Sequence, residues 1–389
     1  MAGPLKGIRV LDLTRVLAGP FATQILADLG AEVIKVERPG TGDDTRNWGP
    51  PFVKDRQGRD TTESTYFASC NRGKKSVAVD LSTREGRQRV SALAGQADVL
   101  VENYKVGDLK RHGLDYESLH SLYPHLVYCS ITGYGQNGPY AQRAGYDPIA
   151  QAMCGLMSVT GEPEDMPGTG PQRVGVAVVD LMAGHYAVIA ILAALLHRKQ
   201  TGEGQQIDIG LLDVGVGSMA NIASAYLGAG IVAKRNGGVH PSVVPSQVFK
   251  ASDGWLILAA GNDSQFASLC TAAGHSEISR DPRFSTNSAR VGNRQAIIDI
   301  LKGWFARHPV SHWVKLLTDA GVPCGPIYTM EQVFEDPQVK ARGMKIELAH
   351  RTAGRIAMVA NPIKMSATPL EYELAPPVLG EHDPTLNPG

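Results

Sequence analysis

Apolar positions along the chain fall into short runs, separated by longer stretches with helical period. Residues 8–13, Ile-Arg-Val-Leu-Asp-Leu, alternate and are rich in branched side chains, which predicts a strand. A turn at Ala18-Gly19 follows, with Pro20 suited to the first position of a helix that runs to Leu29 and stops at Gly30. Residues 32–37 predict a second strand. Strand, helix and strand within about thirty residues make a βαβ unit, hence a parallel pair with a right-handed crossover. Further strands are expected over 76–80, 98–102, 126–132 and 205–210, with helices between them. This alternation predicts an open α/β sheet, which binds ligands beyond the carboxyl ends of its strands. Arg15, Arg38, Asn103 and Tyr134 all stand in turns that follow strands. Residues 38–65 read as loop by composition.

A short apolar run over 174–179 ends in Asp180, and an apolar helix pattern occupies 181–196. On pattern alone, an acid at such a strand-to-helix junction is a helix cap worth about 1 kcal/mol. The 181–196 run is shorter than the roughly 18 residues a membrane span needs, and His185 interrupts it, so it predicts a buried helix. Residues 161–170 read as a mobile loop, and 211–227 as a long helix. From 228 the composition turns to Gly-rich turns, then a hairpin over 247–250 and 255–259 and helices over 264–273, 294–307 and 311–320. The expected division is a large domain over 1–200, a linker helix over 201–227, a small α+β domain over 228–325 and a closing segment over 326–389, β-like at 344–359.

Charge and cysteine usage narrow the function. With 38 basic and 38 acidic residues the net charge is zero, which excludes a nucleic-acid binder working through bulk charge. The cysteines, at 70, 129, 154, 270 and 324, are odd in number and lack Cys-x-x-Cys spacing. They fit free thiols in a reducing compartment and no zinc site. The N-terminal stretch runs into a strand pattern with neither signal-peptide nor transit features, so a cytoplasmic address is expected. The first turn, Arg15-Val-Leu-Ala-Gly-Pro20, lacks Gly-x-Gly-x-x-Gly, which leaves a dinucleotide site unsupported. His308 and His312 lack the Glu of His-Glu-x-x-His and flank Pro309, so no metal site is expected there.

Several blocks carry a family resemblance. They are Leu11-Asp-Leu-Thr-Arg-Val-Leu-Ala-Gly-Pro20, Gly30-Ala-Glu-Val-Ile-Lys-Val-Glu-Arg-Pro39, Asn71-Arg-Gly-Lys-Lys-Ser76, Val101-Glu-Asn-Tyr104, Gly133-Tyr-Gly-Gln136, Val322-Pro-Cys-Gly-Pro326 and Leu379-Gly-Glu-His382. Together and in this order, they resemble the family III CoA-transferases, the formyl-CoA and carnitine CoA-transferase group. Gly40-Thr-Gly-Asp-Asp-Thr-Arg46 with Trp48-Gly-Pro-Pro-Phe52 is similar to the succinyl-CoA:glutarate branch. The resemblance implies an interlocked homodimer of open-ring subunits. Each would have a Rossmann-like CoA-binding large domain completed by both chain ends, and a smaller α+β domain. It implies no permanent cofactor, with coenzyme A arriving as an acyl-CoA co-substrate; the balanced charge and the short apolar run add the expectation of no nucleic-acid or membrane partner.

The resemblance also implies that Asp180 is the catalytic aspartate, with Tyr146 and Asp147 beside it. An ionised aspartate can attack a thioester carbonyl, form a mixed anhydride and release CoA thiolate. The thiolate then returns to give an aspartyl-CoA thioester, and a second acid reverses the steps. Asp147 before Pro148 is equally a helix cap. Arg38 matches a CoA-contacting arginine, with Lys75 and Arg111 as further phosphate partners or surface ion pairs. Val16, Asn103, Tyr104 and Tyr134 would line the CoA channel. Arg15 and Arg46 would hold the far carboxylate of a dicarboxylic acid, or pair with Glu37, Asp43 or Asp44. The expected reaction moves CoA from an acyl-CoA, with succinyl-CoA as donor, to a carboxylic acid, a dicarboxylate among the candidates. The alternative is an α-methylacyl-CoA racemase. Such racemases have a His where this chain has Tyr146, a poor proton carrier at neutral pH.

Overall fold

The computed structural model of the chain describes residues 3–164 and 170–383, so part of the expected 161–170 loop lies outside the described residues. The fold divides into two units, one of Met1–Leu156, Arg173–Ile231 and Pro337–Gly389, the other of Met157–Gln172 and Val232–Asp336.

The first unit opens with β1 (Arg9–Asp12), α1 (Ala18–Asp28) and β2 (Glu32–Glu37). A hairpin of β3 (Phe52–Lys54) and β4 (Asp60–Ser64) follows, where composition predicted only loop. Next come α2 (Thr65–Ser69), β5 (Lys74–Ala78), α3 (Arg84–Gly95), β6 (Val99–Glu102), α4 (Tyr116–Leu122), β7 (Val127–Thr132) and α5 (Asp147–Met153). After the short α6 (Leu156–Val159), the chain continues into α7 (Val178–Thr201), β8 (Gln206–Gly210), α8 (Leu211–Ser218) and α9 (Ala220–Ala229).

Six parallel strands form one sheet in the order β5-β2-β1-β6-β7-β8. Numbered by sheet position, this is the 3-2-1-4-5-6 order of doubly wound folds. The strand order reverses between β1 and β6, so their carboxyl ends diverge into opposite crossovers and leave a crevice there. One sheet face packs on α1, α7 and α8 through Val10, Leu26, Val99, Ala183, Ile191 and Val214. The other packs on α3 and α4 through Leu11, Ile34, Val90, Leu100 and Leu119.

Three departures from the sequence pattern have physical causes. The run 174–179 is not a strand, and α7 starts within it, at Val178. Side chains from α5 take up its backbone donors, Gln151 Oε1 accepting from Val174 N and Asp147 Oδ1 from Val179 N. Secondly, α7 has 24 residues and ends at Gly202, whose φ of 82° closes it; it is only partly buried, leaving Tyr186, Ile189 and Leu196 exposed. Close approach to α1 requires Gly184 in it, because a Cβ there would stand 2.9 Å from Ala18 O. Thirdly, the expected 211–227 helix breaks at Met219-Ala220, where Ala220 has a φ of 39°.

The second unit holds β9 (Ser246–Lys250) and β10 (Trp255–Ala259), then α10 (Asp263–Ala272), α11 (Asn287–Gly292), α12 (Arg294–Phe305), α13 (Val310–Asp319), β11 (Cys324–Pro326) and α14 (Met330–Glu335). Its three strands form an antiparallel sheet, β11-β10-β9, around a core that includes Phe249, Leu258, Phe266, Trp304 and Phe305. The first unit closes with α15 (Pro337–Ala341) and the hairpin β12 (Lys345–His350) and β13 (Gly354–Val359). The chain end then runs along β5, with His382 N donating to Ser76 O.

Candidate active site

At the crevice between β1 and β6 the turn 13–17 and Asn103-Tyr104 face each other. A cavity of about 280 Å³ opens there, lined by Arg15, Val16, Ala18, Asn103, Tyr104, Tyr146 and Asp180 among others. A second cavity, of about 230 Å³, shares Arg15 and Tyr104 with the first and reaches Arg38 and His112. Of the expected residues, Arg15, Val16, Arg38, Asn103, Tyr104, Tyr146 and Asp180 thus line these two cavities at the carboxyl ends of the strands. Where β7 leaves the sheet, a Cβ on Gly133 would stand 2.5 Å from Gly145 Cα, so two glycines let the loop fold back and bring Tyr146 to the cavity.

Asp180 lies in the first turn of α7, and its own helix has no side-chain cap at Ala177. The cap comes from 33 residues away: Asp147 Oδ1 accepts from Val179 N at 2.9 Å and from Asp180 N at 3.3 Å. Gln151, one helical turn beyond Asp147, donates to its Oδ2 at 2.7 Å. Asp147 is therefore buried, 3% exposed, and is absent from the cavity lining. It serves the site by holding the helix that carries Asp180, whereas Tyr146, 61% exposed, faces the cavity directly.

This arrangement makes Asp180 an unusual carboxyl. Burial, and next the charge of Asp147, push its pKa up to about 7. A more basic carboxylate is a better nucleophile once ionised, and the group titrates at neutral pH. The Tyr66 phenol is raised to about 12, by burial first and then by Asp180, so it stays protonated beside that carboxylate.

Arg15 Nη1 pairs with Asp44 Oδ2 at 3.0 Å and its guanidinium lies 5.4 Å from the Tyr104 ring centre. Among the described residues no acceptor meets its buried Nε. Arg46 is differently committed. It grips the buried Glu37 with two bonds of 2.7 Å, donates to Pro377 O, lies 3.7 Å over the Phe67 ring and lines neither cavity. Lys75 pairs with Glu32 at 2.6 Å, Arg111 with Asp108, and Tyr134 donates to Met153 Sδ at 3.5 Å; none of these three lines either cavity.

Asn103 has a mainly architectural position, clamping the Arg15 backbone by accepting from its N at 2.9 Å and donating to its O at 2.7 Å. Three site residues escaped the sequence, Tyr66, Arg143 and Gln151, whereas Asp44 takes the ion pair with Arg15 that the sequence offered. Gln151 follows Asp147 by four positions on a helix, a spacing that was open to reading. Arg143 lines the Asp180 cavity with its guanidinium 3.9 Å over the Tyr140 ring. No local signal marks Tyr66.

Comparison with known proteins identifies the family. Residues 5–383 match the family model of CoA-transferase family III. The chain is 49% identical over 379 residues to a succinate–glutarate CoA-transferase of Agrobacterium fabrum, covering 97% of this chain and 94% of the relative. It is 48% identical to the succinyl-CoA:glutarate CoA-transferase of Mus musculus, covering 97% of this chain and 84% of that protein. The crystal structure of a CaiB/BaiF family protein from Brucella suis superposes over the full length of both chains with a TM-score of 0.90 at 46% identity. A match of this extent, joined to a carboxylate cavity at the switch point of the sheet, places the chain in CoA-transferase family III.

Proposed function

We propose that this protein transfers CoA from succinyl-CoA to a second small dicarboxylic acid, of four to six carbons, by covalent catalysis at Asp180. The observation that carries the reading is Asp180 itself. It is a half-buried carboxyl of raised basicity, lining a cavity in a chain nearly half identical to two glutarate transferases.

The Asp180 carboxylate attacks the thioester carbonyl; the C–S bond breaks, giving a succinyl-aspartyl anhydride and CoA thiolate. The thiolate attacks the aspartyl carbonyl of the anhydride and expels succinate, leaving an aspartyl-CoA thioester. The incoming carboxylate attacks that thioester and again releases thiolate. The thiolate finally takes the new acyl group and returns Asp180 to its carboxylate. One thioester replaces another, so no external energy source is needed. Keeping water from the anhydride falls to the cavity walls.

Arg38 in the second cavity suits a CoA phosphate, and Arg15 and Tyr104 line both that cavity and the one that holds Asp180. Arg15 and Arg143 are the guanidinium groups lining the Asp180 cavity, and they suit the far carboxylate of the dicarboxylate.

The working form in this reading is a homodimer. The most apolar 18-residue stretch of helix α7 has a mean hydropathy of 2.0, and Tyr186, Ile189 and Leu196 leave an apolar stripe exposed at 46%, 62% and 62%. A stripe of this kind on a helix whose first turn carries the nucleophile needs cover, and a second copy supplies it. Light scattering of the purified chain at twice the monomer mass is expected; a monomer would contradict it.

The functional test offers a panel of acids with succinyl-CoA and reads new acyl-CoA products by mass spectrometry. Dicarboxylates of four to six carbons are expected to give product. Deuterium uptake at the α-carbon of an acyl-CoA without CoA exchange would instead establish racemase chemistry.

A further inference from the structure

Val16 lines the Asp180 cavity with a φ of 72°, one of two non-glycine residues of positive φ among the described residues. For a β-branched side chain this conformation costs about 1–3 kcal/mol and persists only where its surroundings impose it. The surroundings are unusual. Asp43 Oδ1 accepts from Val16 N at 3.3 Å, and Asp43 Oδ2 pairs with Lys35 Nζ at 3.0 Å, both side chains fully buried. Lys35 also donates to Thr14 O at 2.7 Å. The same pair of groups thus grips the turn on either side of Arg15, while Asn103 clamps Arg15 itself.

Beneath them a second buried pair continues the scaffold. Lys74 Nζ lies 3.0 Å from Asp12 Oδ2 and 2.9 Å from Pro20 O, and Asp12 Oδ1 accepts from Thr14 N. Burial opposes the charge on Lys35, but Asp43 and Asp12 hold it firmly protonated. A buried ion pair is weak as a source of stability, since well-packed apolar residues of similar volume often do as well or better. What an apolar pair could not do is hold Val16 N and Thr14 O at fixed points.

We infer that Asp43 and Lys35 are positioning residues for CoA transfer, holding Val16 in its left-handed conformation so that the turn from Thr14 to Ala18 stays against Asp180. This rests on the transferase reading above. Without the pair the turn relaxes toward an ordinary φ, and the cavity wall made by Val16, Leu17 and Ala18 moves against the nucleophile. A misplacement of about 1 Å near a reacting centre costs on the order of a hundredfold in rate.

The test is a double-mutant cycle between positions 16 and 43, read as succinyl-CoA:dicarboxylate exchange. Asp43→Asn is expected to lower kcat by about tenfold to a hundredfold, with KM for acyl-CoA within about threefold. Glycine adopts positive φ freely, so Val16 is the residue that makes the clamp necessary. In a Val16→Gly background, the Asp43→Asn penalty therefore shrinks to about threefold or less. A purely structural role would give the same penalty in both backgrounds, and that result overturns the inference, as does an undiminished kcat in Asp43→Asn. If Asp43→Asn fails to fold, the neutral pair Lys35→Met with Asp43→Asn replaces it in the same cycle, with the same two outcomes. Wild-type protein that exchanges no CoA with any acid would sink the transferase reading itself.

Discussion

Asp147 caps the helix that carries Asp180: one of its carboxylate oxygens accepts from Val179 N and from Asp180 N. The same carboxylate is also the nearby charge that raises the Asp180 pKa, second to burial. One residue therefore both places the nucleophile and adds to the rise in pKa that burial begins. The kcat/KM profile is expected to show an acidic limb at about pH 7, where Asp180 ionises in the free enzyme. Asp147→Asn removes the repelling charge but keeps an oxygen acceptor, so the limb moves down, by roughly 0.5–1 pH unit. A pH–rate series on the two proteins checks this; an unmoved or upward-shifted limb is the contrary result.

Raised basicity has a cost in stability, with a definite sign. In the unfolded chain Asp180 ionises near 3.8, in the folded protein near 7. Between those values the folded state holds a proton that the unfolded state has lost, so stability falls as pH rises across the window. Above it the penalty is complete. Asp180→Asn removes the penalty, so at pH 8 the variant is expected to be more stable than wild type, by about 1–3 kcal/mol. At pH 4 the gain vanishes. Urea melts at the two pH values measure it, alongside the loss of exchange activity.

Selectivity for a dicarboxylate is expected to reside in Arg15 and Arg143. Substituting either by Gln should raise KM for the dicarboxylate by about tenfold to a hundredfold. Exchange to a monocarboxylate of the same length should change little, since no second charge is lost. Initial rates with paired acids, a dicarboxylate and its methyl-terminated analogue, decide the matter; equal losses on both acids would point to a general effect on the cavity.

Arg46 is expected to behave in the opposite way. Burial alone would raise the Glu37 pKa, but Arg46 and then Lys35 hold it below the usual range, so Glu37 is ionised and buried. Arg46→Gln leaves that charge without its main partner and should cost roughly 3–5 kcal/mol of stability. Acid selectivity in the folded fraction should stay as in wild type. Denaturant unfolding and substrate ratios on one preparation separate the two effects.

The strands of the parallel sheet are legible because each is a short buried run of branched apolar residues: the expected bounds 32–37 match to the residue, and the ends of the other five fall within two residues. The rule that ligands gather beyond strand ends points to Arg15, Arg38, Asn103 and Tyr134, of which the first three line the two cavities and Tyr134 does not. What stayed hidden is non-local. The run 174–179 alternates well enough for a strand, but side chains from α5 claim its backbone donors. Arg15 and Arg46 read alike in sequence. Only the fold, which brings β2 under Arg46 and leaves Arg15 on the crevice, tells a structural cation from one facing the cavity. The buried Lys35–Asp43 pair was likewise invisible, since both residues are of types that usually remain in solvent.

The most direct test of covalent catalysis is trapping during turnover. Protein incubated with succinyl-CoA is quenched with borohydride, which reduces an aspartyl thioester to the alcohol, and its peptides are mapped by mass spectrometry. Reduction confined to residue 180, and abolished in Asp180→Asn, is the expected result. Reduction at another side chain, or active protein that yields no reduced residue under conditions that trap a model aspartyl thioester, would contradict it.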